Sequence, residues 1–363
     1  MLEKLLAARN LRETDDIESF LDPRYEKLHD PMQMSGMRAA VDRIKNAISQ
    51  NQQITVYADY DADAVTAAAV LLRYFQHSNY KRVDFYIPDR FAEGYGVNPE
   101  AVKLLKERGT DLIITVDCGI NAVESVDIAN ELGLDVIITD HHQLTGEIPK
   151  AAAVVNPHQP NDTYPCKDLT GVGVAFKLVQ ALSDNDPWIK WLLDIVAIGT
   201  VADCQSLLYE NRILVKWGLF VLQKTRWIGL KKLLEAAGIN AGPYDTYQIG
   251  FIIAPRINAA GRIDSADIAL KLLLTDDAAE AELLADKLDE LNRQRQAHTE
   301  RILSEAREQV LALGDKKILL AAGEGWHRGI VGLVAGKLTE EFYRPVLVME
   351  KTATEAVEVC TRP

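Results

Sequence analysis

Asp59, Asp61 and Asp63 alternate in Asp59-Tyr60-Asp61-Ala62-Asp63, directly after the apolar run Ile54 to Ala58. Three carboxylates this close repel each other, and a divalent cation is the usual way to offset that charge. The same grammar returns twice. Ile113-Ile114-Thr115-Val116 ends in Asp117, and Val136-Ile137-Ile138-Thr139 ends in Asp140-His141-His142. A fourth candidate, Asp203, follows the small-residue run Ala197-Ile198-Gly199-Thr200-Val201-Ala202, which would let backbone approach a site closely. Hard oxygen ligands with imidazole suit Mn²⁺ or Mg²⁺ better than a cysteine-held zinc. More than four carboxylates imply two ions. Two metals ~3.5–4 Å apart can hold an attacking water and both ends of an in-line phosphoryl displacement, and they make hydroxide available near neutral pH.

Each piece has a blander reading. An Asp at a strand end is often a helix N-cap, and for Asp117 or Asp203 taken singly that reading is the better one. An EF-hand calcium loop needs Gly at its sixth position and Glu at its twelfth. Counted from Asp59, those positions hold Ala64 and Val70, which excludes it. It is the recurrence at three strand ends that favours a shared site.

The surrounding pattern supplies the elements that must position these groups. Strands are predicted at 54–58, 82–87, 112–116, 135–139 and 152–155, with helices near 64–76, 98–107, 121–132 and 172–183. Strand–helix alternation at this spacing gives parallel βαβ units covered on both faces. In such sheets ligands bind outside the carboxyl ends of the strands, where Asp59 to Asp63, Asp117 and Asp140 to His142 all fall. Residues 1–50 read as a helical extension broken at Asp22-Pro23, with 39–48 expected to pack on the first strand. Trp188 to Cys204 and residues 213–240 read as helices, and Ile253 to Arg262 as a loop carrying Arg256 and Arg262.

Asp276 to Leu313 is the longest helix signal, enough to span ~50 Å. Its Lys287, Arg293, Arg295, Arg301 and Arg307 read as a solvated face paired with acidic neighbours, or as the border of a polyanion groove. A strand at 316–322 follows, then Gly323-Glu324-Gly325-Trp326-His327-Arg328-Gly329, a helix at 330–338 and a strand at 345–349. His327 and Arg328 beside a helix N-terminus make an anion seat. The fold class is therefore α/β: a parallel-sheet domain joined by a long helix to a smaller α/β domain that reads as truncated at Pro363. The expected division is 1–50, 51–274, 275–314 and 315–363.

Composition sets outer limits. The 363 residues are 48% hydrophobic and 26% charged, as in soluble globular proteins. A formal charge of −13 argues against non-specific attraction to nucleic acid or an anionic membrane, and leaves room for a local basic groove. Cys118, Cys166, Cys204 and Cys360 have no paired spacing, so neither a zinc ribbon nor a disulfide framework is expected, and the setting reads as reducing and cytoplasmic. There is no apolar run of ~18 residues, and the N-terminus is too quickly charged for a secretory signal.

The motifs resemble the DHH phosphoesterase superfamily, named for the triplet seen here as Asp140-His141-His142, and within it most closely the RecJ branch. That branch's signatures stand in order: the Asp59 to Asp63 run, Thr115-Val116-Asp117-Cys118-Gly119, Thr139 to His142, Gly171-Val172-Gly173-Val174-Ala175, Gly199 to Asp203, Asn258-Ala259-Ala260-Gly261-Arg262 and Gly325-Trp326-His327-Arg328-Gly329. The resemblance implies a DHH domain, a connecting helix and a DHHA1 domain. It implies two Mn²⁺ or Mg²⁺ ions and 5′→3′ hydrolysis of single-stranded DNA to mononucleotides, in repair and recombination. A single-stranded-DNA-binding protein or a helicase would be the partner, with no membrane involved.

By the same resemblance Asp59, Asp61, Asp63, Asp117, His141 and Asp203 are metal ligands, with Asp61 also catalytic. His142 faces the scissile phosphate, either donating to the leaving oxygen or stabilising charge, and Asp140 orients His141. Arg90, Asn258, Arg262, His327, Arg328 and Arg362 contact substrate, Arg90 and Arg262 at a terminal 5′-phosphate, which a guanidinium fork suits. Three departures stand out. Ala64 replaces the usual Gly. The late Gly-Ser-x-Arg-Ser-type segment is reduced to Glu358-Val359-Cys360-Thr361-Arg362-Pro363. The OB-like domain that usually accompanies the family is not expected within these 363 residues. The alternatives are a DHH-type phosphoesterase acting on oligoribonucleotides, (cyclic) dinucleotides or pyrophosphate, and an inactive DHH scaffold that binds nucleic acid.

Overall fold

Five short apolar runs pair into one parallel sheet. In the computed structural model, which describes residues 2–9, 11–184, 186–239, 242–351 and 359–362, these are β1 (Ile54–Ala58), β2 (Val83–Tyr86), β3 (Leu112–Val116), β4 (Asp135–Thr139) and β5 (Ala153–Val155). Their order is β2-β1-β3-β4-β5. β1 and β3 are buried along their whole length, which is why they read as unbroken Ile/Val runs. β2 is an edge strand and only partly buried. The register aligns Ala58 with Val116 and Val116 with Thr139. Asp59, Asp117 and Asp140, each one residue beyond its strand, therefore stand side by side on one edge.

The helices preceding and within this unit are α1 (Leu2–Ala7), α2 (Thr14–Leu21), α3 (Met37–Ser49), α4 (Ala62–His77), α5 (Pro99–Glu107), α6 (Val123–Glu131) and α7 (Gly171–Leu182). Successive strand residues point to opposite faces. Val56, Ala58, Ile114 and Ile137 join α4 and α7 in one core, while Tyr57, Ile113, Val136 and Ile138 join α5 and α6 in another. α4 is buried from Ala62 to Phe75, since α7 and the next helix pack on it from outside. The expectation that α3 packs on the first strand is corrected: it packs on β5 and α7. Gly36, at its N-terminus, lies so near β5 that a Cβ would come within 2.0 Å of the Val154 carbonyl oxygen.

An all-helical layer follows: α8 (Leu193–Ala202), α9 (Tyr209–Leu222), α10 (Ile228–Ala236), α11 (Ala254–Ile263) and α12 (Asp267–Leu274). Three further expectations are corrected here. Residues 187–192 form a 3₁₀ turn ahead of α8. The predicted helix over 213–240 breaks between α9 and α10, where Trp227 turns inward and its indole N–H donates to the Trp191 carbonyl (3.2 Å) and Asp194 (3.1 Å). The predicted loop at 253–262 is helical, a π-helix at Gln248–Ile253 running into α11. Pro255 lies at the junction of the two, where the wider π turn ahead of it spares the clash and the lost hydrogen bond that a regular α-turn would bring.

A fully buried pair ties the N-terminal extension to this layer. Lys177 of α7 meets Glu210 of α9 at 2.6 Å and donates to the His29 carbonyl at 2.9 Å. Tyr164 donates to the other Glu210 oxygen at 2.7 Å.

α13 (Ala278–Ala312) is the long helix, 35 residues. Its first half buries Ala281, Ala285, Leu288 and Leu291 in the large core. Its second half buries Ile302, Ala306 and Val310 in a separate core with β6 (Leu319–Glu324), α14 (Arg328–Phe342) and β7 (Val346–Lys351). β7 pairs parallel to β6 and antiparallel to β8 (Val359–Arg362). Four of the five basic residues singled out on α13 pair with acidic groups or a carbonyl, Lys287 with Asp264, Arg293 with Asp289, Arg301 with the Gly325 carbonyl and Arg307 with Glu341, while Arg295 donates to Asn292 and keeps its Nε unpartnered. That favours the solvated-face reading over a polyanion groove. No described helix is long and apolar enough to cross a membrane.

Candidate metal centre and anion seat

β1, β3 and β4 deliver Asp59, Asp117 and Asp140, and α4, α7 and α8 close around them. Asp117 adopts the left-handed region (φ 59°) and Gly119 follows at φ 109°. Asp tolerates that region better than most residues, and the turn is pinned by the Thr115 hydroxyl donating to the Cys118 carbonyl at 2.7 Å. Asp63, in the first turn of α4, accepts the N–H groups of Gly171 (2.6 Å) and Val172 (2.9 Å). These are orphan donors at the N-terminus of α7, where a carboxylate is favoured. Asp203 sits at the opposite kind of position, the C-cap of α8. A negative charge there opposes the helix dipole, so packing and cap chemistry do not account for it.

Two glycines make this closeness possible. A Cβ on Gly171 would lie 2.5 Å from Asp117 Oδ1, and one on Gly199 would lie 2.2 Å from Thr66 Oγ1 and 2.8 Å from Asp63 Oδ1. Ala64, where the family usually has Gly, needs no left-handed backbone. It lies inside α4, its N–H donates to Asp61 Oδ1 at 3.0 Å and its methyl is buried in apolar surroundings.

His141 Nε2 lies 3.0 Å from Asp117 Oδ1 and 3.9 Å from both Asp63 Oδ2 and Asp203 Oδ2. Burial, followed by the charge of His142, lowers the His141 pKa to about 4, and its ring carries a backbone hydrogen bond with Leu169. A neutral imidazole so held presents a lone pair, not a proton, to three carboxylate oxygens. His141 Nε2, Asp117 Oδ1, Asp203 Oδ2 and Asp59 Oδ1 are all buried without a hydrogen-bond partner. Lone pairs converging without a donor fit a cation. Among the described residues, two triads have ligand atoms within 4.8 Å of one another, Asp117–His141–His142 and Asp63–His141–Asp203.

The charge strain shows in the acid strengths. Burial and then the Asp61 charge raise Asp59 to about 7 and Asp203 to about 6. Asp63 and Asp117 are pushed well above the usual range, first by burial and then by neighbouring carboxylates, Asp203 and Asp61 beside Asp63, and Asp63 and Asp61 beside Asp117.

The residues expected as ligands thus separate. Asp63, Asp117, His141 and Asp203 come together. Asp59 and Asp61 lie outside the two triads, near enough for the Asp61 charge to act on Asp63, Asp117 and Asp203, and Asp61 Oδ1 is the N-cap of α4. Asp140 does not orient the His141 ring. Its Oδ1 accepts from His142 Nδ1 at 2.7 Å and from the N–H groups of His141 and His142, and its Oδ2 accepts from the Ile120 N–H at 2.9 Å. The aspartate therefore holds the neighbouring imidazole, because a side chain two residues on, not the next one, can fold back over the turn. This bond raises the His142 pKa and, against the effect of burial, lowers that of Asp140.

Sequence reasoning missed Tyr95. Its hydroxyl lies 3.4 Å from His142 Nε2, on a loop where Gly94 and Gly96 both have positive φ. That Gly-Tyr-Gly spacing was the available signal. Beyond it opens a cavity of about 510 Å³ lined by Tyr95, Asn121, His142 and Gln143.

The cationic residues lie on the other flank. The Arg90 guanidinium stacks on the Tyr60 ring at 4.7 Å. Arg262 donates to the Gly329 carbonyl at 3.2 Å, and burial, then the charges of Arg90 and Arg295, lower its pKa to about 10. Guanidinium groups held close enough to perturb one another favour an anion between them. His327 caps α14, its Nδ1 accepting the Gly329 N–H at 3.1 Å, with the Phe91 ring edge-on to it.

Asn258 is occupied as a brace: its Oδ1 accepts the Ala62 N–H at 2.8 Å, at the start of α4. Arg328 pairs with Glu350 at 3.2 Å. Arg362 belongs to β8, but its side chain lies outside the described residues, as do residues 352–358 and Pro363.

Comparison with known proteins accords with this geometry. The DHH family, N-terminal domain, matches residues 53–200. The single-stranded-DNA-specific exonuclease RecJ of Bacillus subtilis is 47% identical over 96% of this chain, which spans 44% of that relative's length. A crystal structure of exonuclease RecJ bound to manganese superposes with a TM-score of 0.79 at 38% identity, covering 87% of this chain and 80% of that one. RecJ of Thermus thermophilus in complex with Mn²⁺ gives a TM-score of 0.80 at 35% identity, covering 95% of this chain and 49% of that one. By the identity and extent of these matches, the chain belongs to the RecJ family of DHH-domain proteins.

Proposed function

We propose that this chain is the catalytic core of a metal-dependent exonuclease that hydrolyses single-stranded DNA from its 5′ end to mononucleotides. The observation that carries the reading is the convergence of the unpartnered lone pairs of Asp117 and Asp203 on that of His141, beside a cluster of arginines. Asp63, Asp117, His141 and Asp203, with Asp59 and Asp61, would hold two Mn²⁺ or Mg²⁺ ions. When bound, such ions supply Lewis-acid polarisation of a phosphodiester and an acidified water.

The chain's own groups do the rest. Asp140 fixes the direction of His142 and favours its doubly protonated ring, so that Nδ1–H stays on Asp140 while Nε2–H faces the reacting phosphate and donates to its departing oxygen. Arg90 and Arg262, with His327 and the N-terminus of α14, seat the terminal 5′-phosphate, while Arg328 and Arg362 extend that seat. Asn258 holds the start of α4 in place. The working division is a DHH domain over 51–274, a connecting helix over 275–314 and a DHHA1 unit from 315. A cytoplasmic setting with a single-stranded-DNA-binding protein or helicase as partner accords with this role.

The test is hydrolysis of 5′-phosphorylated single-stranded DNA with Mn²⁺. Mononucleotides should be released from the 5′ end, and Asp63→Ala should abolish their release. Activity confined to dinucleotides would sink the polymer reading. DNA binding without hydrolysis under any divalent metal would make the chain a scaffold.

A further inference from the structure

Tyr247 and Phe251 are 58% and 73% exposed, and their rings stack with centroids 5.0 Å apart at 27°. Two large aromatic rings side by side in water forgo the burial that ordinarily holds such residues. They stand at the start of the π-helix, a rare element that concentrates at functional sites. Its cause is local: Pro255 has no N–H for the Phe251 carbonyl, and its ring would strike that carbonyl in a regular α-turn, so the turn widens.

The position of this element is informative. Gly250 rests on α8, where a Cβ would lie 3.5 Å from Val201 Cγ1, two positions before Asp203. Further along the same rod, Asn258 braces Ala62 at 2.8 Å, and Gly261 lies so close to Tyr60 that a Cβ would come within 2.4 Å of its carbonyl oxygen. Arg262 ends the rod. One continuous helix thus borders the metal centre, with the arginine seat at one end and, at ~1.5 Å per residue, Phe251 about 16 Å and Tyr247 about 22 Å along it at the other.

We infer that Tyr247 and Phe251 form a base-stacking platform for the single strand a few nucleotides beyond its held 5′ end. The inference rests on the single-strand nuclease reading of the site. Aromatic faces accept any base, because every base has a π-face. They therefore add grip without sequence preference, as an exonuclease that must move along its substrate requires. The pair lies outside the metal and phosphate machinery, so it acts on affinity for longer strands and not on the bond-breaking step.

The experiment uses the full chain and a Tyr247→Ala/Phe251→Ala double variant. Binding of a 5′-phosphorylated oligonucleotide of about 12 nucleotides, within the ~4–16 range of single-strand sites, is followed by fluorescence anisotropy in EDTA. KM and kcat are measured with Mn²⁺. Affinity should fall roughly tenfold to a hundredfold, with KM rising in step, kcat unchanged and dinucleotide hydrolysis unaffected. A strand lacking its internal bases should bind the unmodified chain as weakly as the complete strand binds the variant. Equal affinity of the two proteins for the complete strand overturns the inference while leaving the nuclease reading intact. So does an equal loss on complete and base-free strands, or a dimer of the chain that the same substitutions abolish. Failure of the unmodified chain to bind or cleave any strand would refute both.

Discussion

Gly171→Ala tests whether the metal centre depends on backbone approach. The added methyl would lie 2.5 Å from both Cβ and Oδ1 of Asp117 and 2.6 Å from its Cγ. Restoring ordinary contact requires a displacement of about 1 Å. Asp117 has little freedom to give way, because its backbone is held at φ 59° and the turn is pinned by Thr115. The displacement therefore passes to α7, whose Gly171 N–H holds Asp63 at 2.6 Å. Overpacking of this kind costs about 1–3 kcal/mol of stability. A misplacement of ~1 Å in a reacting constellation costs about a hundredfold in rate. The expected outcome is a modest fall in Tm, at least a tenfold loss of Mn²⁺ affinity by calorimetry and about a hundredfold loss of turnover. Gly173→Ala is the control. Its nearest contact, 3.2 Å to Leu169 Cδ2, is the tip of a side chain that can yield, and Ala favours the helix by up to ~1 kcal/mol. Gly171→Ala with unmodified metal affinity and rate would refute the argument.

Two further outcomes follow from charge. Asp59 and Asp203 titrate near 7 and 6 in the folded chain, against 3.8 as ordinary carboxylates. His141, lowered to about 4, works in the opposite sense, but the raised Asp59 and Asp203 together with the raised Asp63 and Asp117 outnumber it, so the metal-free fold binds more protons than the unfolded chain between about pH 4 and 7 and its stability falls as pH rises through that window. Urea titrations in EDTA should show a decline on the order of a few kcal/mol, saturating Mn²⁺ should reverse it, and Asp203→Asn should flatten it; a pH-independent midpoint without metal would contradict this. In the buried pair, Lys177→Met alone should cost about 3–5 kcal/mol, because Glu210 would remain charged and unpaired. The double variant Lys177→Met/Glu210→Leu should recover much of that loss, and additive losses in the two single variants would refute the coupling.

The strand ends were the most legible part of the chain. A β-branched run followed at once by Asp announces both the strand and the edge where its side chain emerges, and β1, β3 and β4 all obeyed. Asp203 was legible as a residue but not as a problem, since only the fold shows it at the negative end of α8. The stretch from Ile253 to Arg262 misled because Pro, Asn and Gly suggest a loop. Here tertiary packing selects them instead: Gly261 for its closeness to Tyr60, Asn258 for the open end of α4. The partner of Asp140 was unreadable because it depends on how the backbone turns after β4. Tyr95 was visible between two glycines, yet nothing along the chain says that this loop reaches His142.

The two halves of α13 lie in different hydrophobic cores, the last large-core contact at Leu291 and the first small-core contact at Ile302. The helix therefore works as a phase gauge. Each residue added between those points would turn the β6–α14–β7 unit by about 100° and advance it ~1.5 Å. A single insertion would swing His327 away from Arg90 and Phe91 to another side of the molecule. Only changes near whole turns keep the two lobes in step, so the length of this segment is constrained modulo about 3.6 residues even where its side chains are free to vary.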